Sequence, residues 1–161
     1  MRKQPILYIV IPCYNEEKVL PITSGMFLEK INTLAAAGKI SPESRVLFVN
    51  DGSKDGTAAI CRERGYHLIS LPVNLGLAGA FQTGMRYAYG HGYDYAIQFD
   101  ADGQHSAAFI AEMVHVAEEK GANIVICSRF ATQKKPVSAR MAGSVLISAM
   151  IMLTTRKRIQ D

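Results

Sequence analysis

Tyr95-Ala96-Ile97-Gln98-Phe99-Asp100-Ala101-Asp102-Gly103-Gln104-His105 is a short apolar run that stops abruptly in two carboxylates, followed by a glycine, an amide and an imidazole. Read as a strand, it alternates with period two, which puts Asp100 and Asp102 on one face with small Ala101 between them. Two adjacent carboxylates repel unless a cation neutralises them. An all-oxygen set of this kind suits Mg²⁺ or Mn²⁺. The same residues also read as an ordinary polar turn after a strand. The rest of the chain decides between the two.

Working outward, the chain alternates strand and helix patterns. Ile6–Ile11 is a continuous apolar, β-rich run of the kind buried on both faces, and Pro12 is expected to end it. Leu20, Phe27, Ile31 and Leu34 recur at helical spacing, with Pro21 tolerable in the first turn and Gly38 closing the helix. Arg45–Asn50 reads as a second strand and opens into the turn-dense Asp51–Thr57 loop, from which a short helix runs to about Gly65. Tyr66–Leu71 is a third strand. The helix after Asn74 and Gly76 is expected to present Leu77, Phe81, Met85 and Ala88 on one side. Asp94–Phe99 is the fourth strand. Ser106–Lys120 is a helix with Phe109, Met113 and Ala117 as one stripe, Ile110 and Val114 beside it, and Gly121 as its cap. Ala122–Cys127 reads as a fifth strand and Met141–Thr155 as a weakly amphipathic helix.

This alternation predicts an α/β fold with a mainly parallel sheet between helical layers, built by right-handed crossovers. In such sheets ligands bind outside the carboxyl ends of the strands, at a switch point. The Tyr14–Glu17, Asp51–Thr57 and Asp100–His105 loops and Ser128-Arg129 all fall on that edge. The opposite connections, Gly38–Ser44 and His91–Tyr93, carry no comparable polar cluster. Convergence on one rim favours the metal over the turn.

The totals bound the reading. At 161 residues the chain fits a single domain, long enough to bury roughly two-thirds of its unfolded surface. No secretory signal follows Met1-Arg2-Lys3, and the Val145–Leu153 run falls far short of the ~20 residues of a membrane span. Cys13, Cys61 and Cys127 show no metal or disulfide spacing, which implies a reducing, cytoplasmic setting. The net charge of +4 owes much to Lys134-Lys135 and Arg156-Lys157-Arg158. Such clusters form a solvated face or attract anionic headgroups and phosphorylated substrates. Without interleaved aromatics they do not suggest nucleic acid.

A cation on Asp100 and Asp102 leaves positions that substrate phosphates and water would fill, and Gln104 could add a ligand. A P-loop and a dinucleotide-binding glycine motif are both absent. Gly76, Gly79 and Gly84 are read as close helix packing. Tyr14 could pack on a base or ribose, Asp51 could accept from a base N–H, and Arg129 could hold phosphate. Asp55 is read as a turn or helix cap. His105 either touches ligand phosphate or caps. His67, His91 and His115 are assigned structural or solvated places, and Tyr87, Tyr89, Tyr93 and Tyr95 packing away from the site.

Five blocks in order carry a resemblance: Ile11-Pro12-Cys13-Tyr14-Asn15-Glu16-Glu17, Val49-Asn50-Asp51-Gly52-Ser53-Lys54-Asp55-Gly56-Thr57, Asn74-Leu75-Gly76, Phe99–His105 and Ser128-Arg129-Phe130. Together they resemble the family 2 glycosyltransferases, and within them the polyprenyl-phosphate sugar transferases such as the dolichyl-phosphate mannose synthases. The resemblance implies a Rossmann-like, three-layer GT-A domain and inverting transfer from a nucleotide-diphosphate sugar with Mg²⁺ or Mn²⁺. By motif, Pro12, Tyr14, Glu16, Asp51, Asp100, Ala101, Asp102 and Arg129 would line the nucleotide sugar, and Asp100, Asp102 and Gln104 would hold the metal. Asp102 would thereby assist the leaving group. The implied acceptor is a polyprenyl phosphate or a glycan, with peripheral association at the inner face of the membrane.

Asn50 stands where an Asp is frequent, a mild departure. Family members continue into an acceptor-binding half, most of which is expected to be missing here after about residues 140–161. No general base is evident, and none is needed if the acceptor is an already anionic lipid phosphate. Two alternatives accompany this reading. One is a nucleotide-sugar-binding fragment without catalysis. The other is a metal-dependent phosphatase, whose Asp-x-Asp-Gly ordinarily ends the first strand rather than the fourth.

Overall fold

Leu7–Cys13 is buried at all seven positions, as its unbroken apolar sequence requires of a central parallel strand. The computed structural model describes residues 4–100 and 107–127. In chain order the elements are β1 (Leu7–Cys13), α1 (Leu20–Ala36), β2 (Arg45–Asn50), α2 (Thr57–Glu63), β3 (Leu68–Ser70), α3 (Gly76–Gly90), β4 (Tyr95–Gln98), a 3-10 turn (Ala107–Phe109) and α4 (Ile110–Lys120). The four strands are all parallel, in the order β3-β2-β1-β4. The chain winds outward from β1 to β3 and then crosses back beyond β1, so the switch point lies between β1 and β4.

Alternation along β1 and β2 divides the core into two layers. Leu7, Ile9, Ile11, Val46 and Phe48 pack with Leu20, Phe27, Ile31 and Leu34 of α1, Cys61 of α2, and Ile110 and Val114 of α4. Tyr8, Val10, Leu47 and Val49 face the other way, onto Ala80 and Ala88 of α3. The result is the expected Rossmann-like three-layer α/β arrangement. The sheet and its flanking elements belong to a compact unit ending at Val114; His115–Asp161 forms a second.

Pro12 does not end β1, which continues to Cys13 in register with Asn50 of β2. It ends only the pairing on the other side. The Cys13 carbonyl accepts from Asp51 N–H at 2.9 Å and the Val10 carbonyl from Phe99 N–H at 3.1 Å. Alternate residues therefore serve alternate neighbours, and Pro12 faces β4. Having no N–H to donate, it cannot extend that ladder. β4 accordingly stops at Gln98, so Asp100 lies beyond the strand and the period-two argument for the aspartates does not reach it.

Other expectations shift for similar reasons. The buried side of α3 is Ala80, Gly84 and Ala88, while Leu77 and Met85 are exposed. A Cβ on Gly84 would lie 2.2 Å from Val10 Cγ1, so the close helix packing read for that glycine holds and excludes large side chains from the contact. In α4 the stripe is Ile110, Val114 and Ala117, with Phe109 exposed. Phe109 belongs to the preceding 3-10 turn, whose ~120° advance per residue shifts the phase of the face. β3 spans only Leu68–Ser70. Residues 122–127 form no strand: Ile124 and Ile126 are 79% and 72% exposed, and no ladder partner exists for them among the described residues. β-branched content gives only a tendency; pairing makes the strand. The Met141–Thr155 helix lies outside the described residues.

At the amino edge of the sheet, away from the polar loops, Tyr8 stacks on Tyr93 with ring centroids 4.2 Å apart and Tyr87 on His91 at 3.7 Å. His67 joins them, its Nδ1 at 2.9 Å from the Tyr8 hydroxyl and its Nε2 at 3.2 Å from that of Tyr87. Packing is thus the role of Tyr87 and Tyr93, but Tyr89 is exposed. Burial, with His91 and Arg45 nearby, holds the His67 pKa below its usual value. The unfolded chain therefore takes up this proton first. The stabilisation is complete above the unfolded value of about 6.5 and is lost as pH falls through the folded one. Thermal melting should show Tm falling below pH ~6.5 in the wild type, with a smaller fall in His67→Gln.

Candidate active site

Four described segments meet the carboxyl edge of the sheet: residues 14–19 after β1, 51–56 after β2, 71–75 after β3 and 99–100 after β4. Asp51, 3% exposed, sits at the floor. Its N–H donates to the Cys13 carbonyl, and its Oδ1 accepts from Leu75 N–H at 2.7 Å. A carboxylate offers about four acceptor positions, so this bond leaves acceptor capacity. The loop can run flush over residues 73–74 because residue 52 is glycine. With φ +67° it occupies the left-handed region, and a Cβ there would meet the Val73 carbonyl carbon at 2.6 Å.

The first two loops are bound to one another. Asn15 N–H donates to Ser53 Oγ at 3.0 Å, Glu16 N–H to Thr57 Oγ1 at 2.8 Å and Glu17 N–H to Asp55 Oδ2 at 3.2 Å. In return, Lys54 N–H donates to Asn15 Oδ1 at 2.9 Å and Gly56 N–H to Glu17 Oε2 at 2.8 Å. Asp55 also accepts from both the hydroxyl and the N–H of Thr57, the first residue of α2. It thus closes an Asx turn just ahead of α2, the turn role read for it from sequence. Burial works to raise the Asp55 pKa, but the hydrogen bonds from Thr57 and Glu17 outweigh it and keep the carboxyl below its ordinary range.

Of the residues singled out from sequence, Pro12 is buried within β1, Tyr14 is 43% exposed beside the clasp, Glu16 is half-buried in it and Asp51 is buried beneath it. Asp100 is half-buried just past β4 and accepts from Gln98 Nε2 at 3.3 Å. Ala101, Asp102, Gln104, His105 and Arg129 lie outside the described residues. Among the described residues no three acidic, histidine or cysteine side chains gather as a metal site. Asp100 is one hard oxygen donor at the carboxyl edge, and the chemistry of the Asp100, Asp102 and Gln104 set fits Mg²⁺ or Mn²⁺.

Sequence reasoning gave no role to Asn15, Glu17 or the Leu75 amide. The first two stand in the Tyr14–Glu17 block and the third in Asn74-Leu75-Gly76, so their presence was legible but their partners were not. Asn50, the departure from the common Asp, uses both ends of its amide. Its Oδ1 accepts from Ser53 N–H at 3.1 Å and its Nδ2 donates to Ser70 Oγ at 3.3 Å. Cys13 is no nucleophile. Burial, reinforced by Cys61 and Glu16, raises its thiol pKa well above the usual range, and burial raises that of Cys61 to about 11.

Comparison with known proteins places this geometry. The sequence model of glycosyl transferase family 2 matches residues 8–160. The chain belongs to that family. Among family 2 relatives, the undecaprenyl-phosphate mannosyltransferase of Micrococcus luteus is 31% identical over 156 residues, covering 89% of this chain and 59% of its own. The chain spans from 35% to 59% of the length of the curated relatives it matches. Solved structures share the GT-A fold. The S. aureus TarS 1–349 structure superposes with a TM-score of 0.60 at 18% identity, over 84% of this chain and 39% of that one. Glucosyl-3-phosphoglycerate synthase from Mycobacterium tuberculosis, crystallised with Mn²⁺, uridine diphosphate and phosphoglyceric acid, superposes with a TM-score of 0.50 at 20% identity, over 70% and 38%.

Proposed function

We propose that this chain binds a nucleotide-diphosphate sugar at the carboxyl edge of its sheet and takes part in inverting transfer of the sugar to a polyprenyl phosphate. The observation that carries the reading is the clasped pair of loops after β1 and β2, facing Asp100 across the switch point. Exposed Tyr14 packs on the base or ribose, Asp51 accepts from the base, and Pro12 and Glu16 support this wall. Asp100, Asp102 and Gln104 would hold a divalent cation, with small Ala101 between the carboxylates. When bound, it would supply Lewis-acid stabilisation of charge developing on the diphosphate. Arg129 offers a bidentate donor to the pyrophosphate or the acceptor phosphate.

The acceptor class draws support from the undecaprenyl-phosphate relative and from chemistry. A lipid phosphate is already anionic at neutral pH, so it can attack the anomeric carbon without a general base. No described helix is long and apolar enough to cross a membrane. Contact with the inner membrane face would rest on the basic clusters at 134–135 and 156–158. Titration calorimetry with UDP-, GDP- and other nucleotide sugars, with and without Mn²⁺, tests donor binding. Transfer of labelled sugar to a short polyprenyl phosphate in detergent tests turnover. Metal-dependent nucleotide affinity supports the proposal. Binding without transfer leaves a binding module, and phosphomonoester hydrolysis without nucleotide affinity would overturn the reading.

A further inference from the structure

The clasp commits five backbone donors to side-chain acceptors. Three consecutive amides of the first loop, those of Asn15, Glu16 and Glu17, go to side chains of the second. Two amides of the second loop, those of Lys54 and Gly56, go to side chains of the first. These five donors are spent on the clasp and are not the ones that would cradle a phosphate. The clasp is a spacer. Tyr14 precedes its first residue and Asp51 lies two residues before its second strand of contacts begins, so the clasp fixes the interval between the two groups assigned to the nucleoside. Asn15 holds a left-handed backbone conformation, φ +56°, which asparagine tolerates better than most residues.

We infer that Asn15 and Glu17 are positioning residues: they set the width of the nucleoside slot from outside it. This rests on the nucleotide-binding reading above and deepens it. The bonds involved are solvent-exposed, so losing one loosens the slot without unfolding the sheet. Some of the binding energy must then be spent on ordering the loops.

Calorimetry with UDP and GDP in the presence of Mn²⁺, paired with thermal melting, tests the inference on four variants. Asn15→Gly keeps the left-handed backbone but removes the acceptor for Lys54 N–H, and Glu17→Ala removes the acceptor for Gly56 N–H. Each is expected to weaken nucleotide binding about tenfold, one net hydrogen bond, with Tm within ~3 °C of wild type. Glu17→Gln keeps an acceptor oxygen and should bind within about twofold of wild type. Ser53→Ala breaks the clasp from the other side with no backbone change and should match Asn15→Gly, which secures the test if the glycine variant does not fold. Wild-type affinity in Glu17→Ala and Ser53→Ala, or Glu17→Gln as weak as Glu17→Ala, would overturn the clasp alone. Failure of the wild type to bind any nucleotide would instead overturn the functional reading beneath it, and the clasp with it.

Discussion

Asp100→Asn combined with Asp102→Asn should abolish the metal-dependent part of nucleotide binding. Wild type with Mn²⁺ is expected to bind nucleoside diphosphate at least about 100-fold more tightly than without it, since a cation bridging protein and diphosphate contributes several kcal/mol. The double variant should show the same weak affinity with and without the ion. Asparagine keeps the shape and an oxygen but removes the negative charge that attracts a divalent cation. Stability should hardly change, because Asp100 lies beyond the β1–β4 ladder that Pro12 terminates. Calorimetry with and without Mn²⁺, beside melting curves, measures both. Unchanged Mn²⁺ dependence in the double variant would show that these aspartates do not hold the cation.

The second large effect is structural. Gly84→Ala places a methyl where Val10 Cγ1 and Cγ2 would be 2.2 and 2.9 Å away. Overpacking of this severity costs ~3 kcal/mol or more, and the helix propensity gained over glycine returns only ~1. A net loss of ~2 kcal/mol should lower Tm by roughly 4–8 °C. Val10→Ala clears the space. The double variant should therefore be less destabilised than the two single effects added, by ~1–2 kcal/mol of coupling. Urea denaturation of the four proteins completes the cycle. Strict additivity would mean that α3 and β1 do not meet through this pair, and the size-based account of the α3 face would fall.

The two predictions mark different depths of legibility. The strand–helix alternation, the parallel sheet and the rim on which polar loops gather are periodic or topological properties, and a single chain displays them directly. Asp100, Asp51 and Tyr14 could be placed on that rim from residue type and position, because each follows directly on an apolar strand run. The α3 face was legible only in part: Ala88 is buried and Phe81 packs beside it, as expected, but Leu77 and Met85 are exposed. A scale that rewards large apolar residues selects Leu77 and Met85, whereas the interface rewards the absence of bulk at Ala80, Gly84 and Ala88. Pro12 was legible as a stop, but which of β1's two neighbours it stops depends on the direction of its missing donor. That direction exists only once β2 and β4 are in place.

The sequence by itself determined the fold class, the family and the edge on which the polar loops gather, because repeating apolar runs and short polar blocks act locally and in order. Only the tertiary structure decided that the loops after β1 and β2 are one clasped wall. Each of its hydrogen bonds joins residues 38 to 41 positions apart, and the identity of a donor's partner across such a separation is fixed by where the sheet puts the two chain ends.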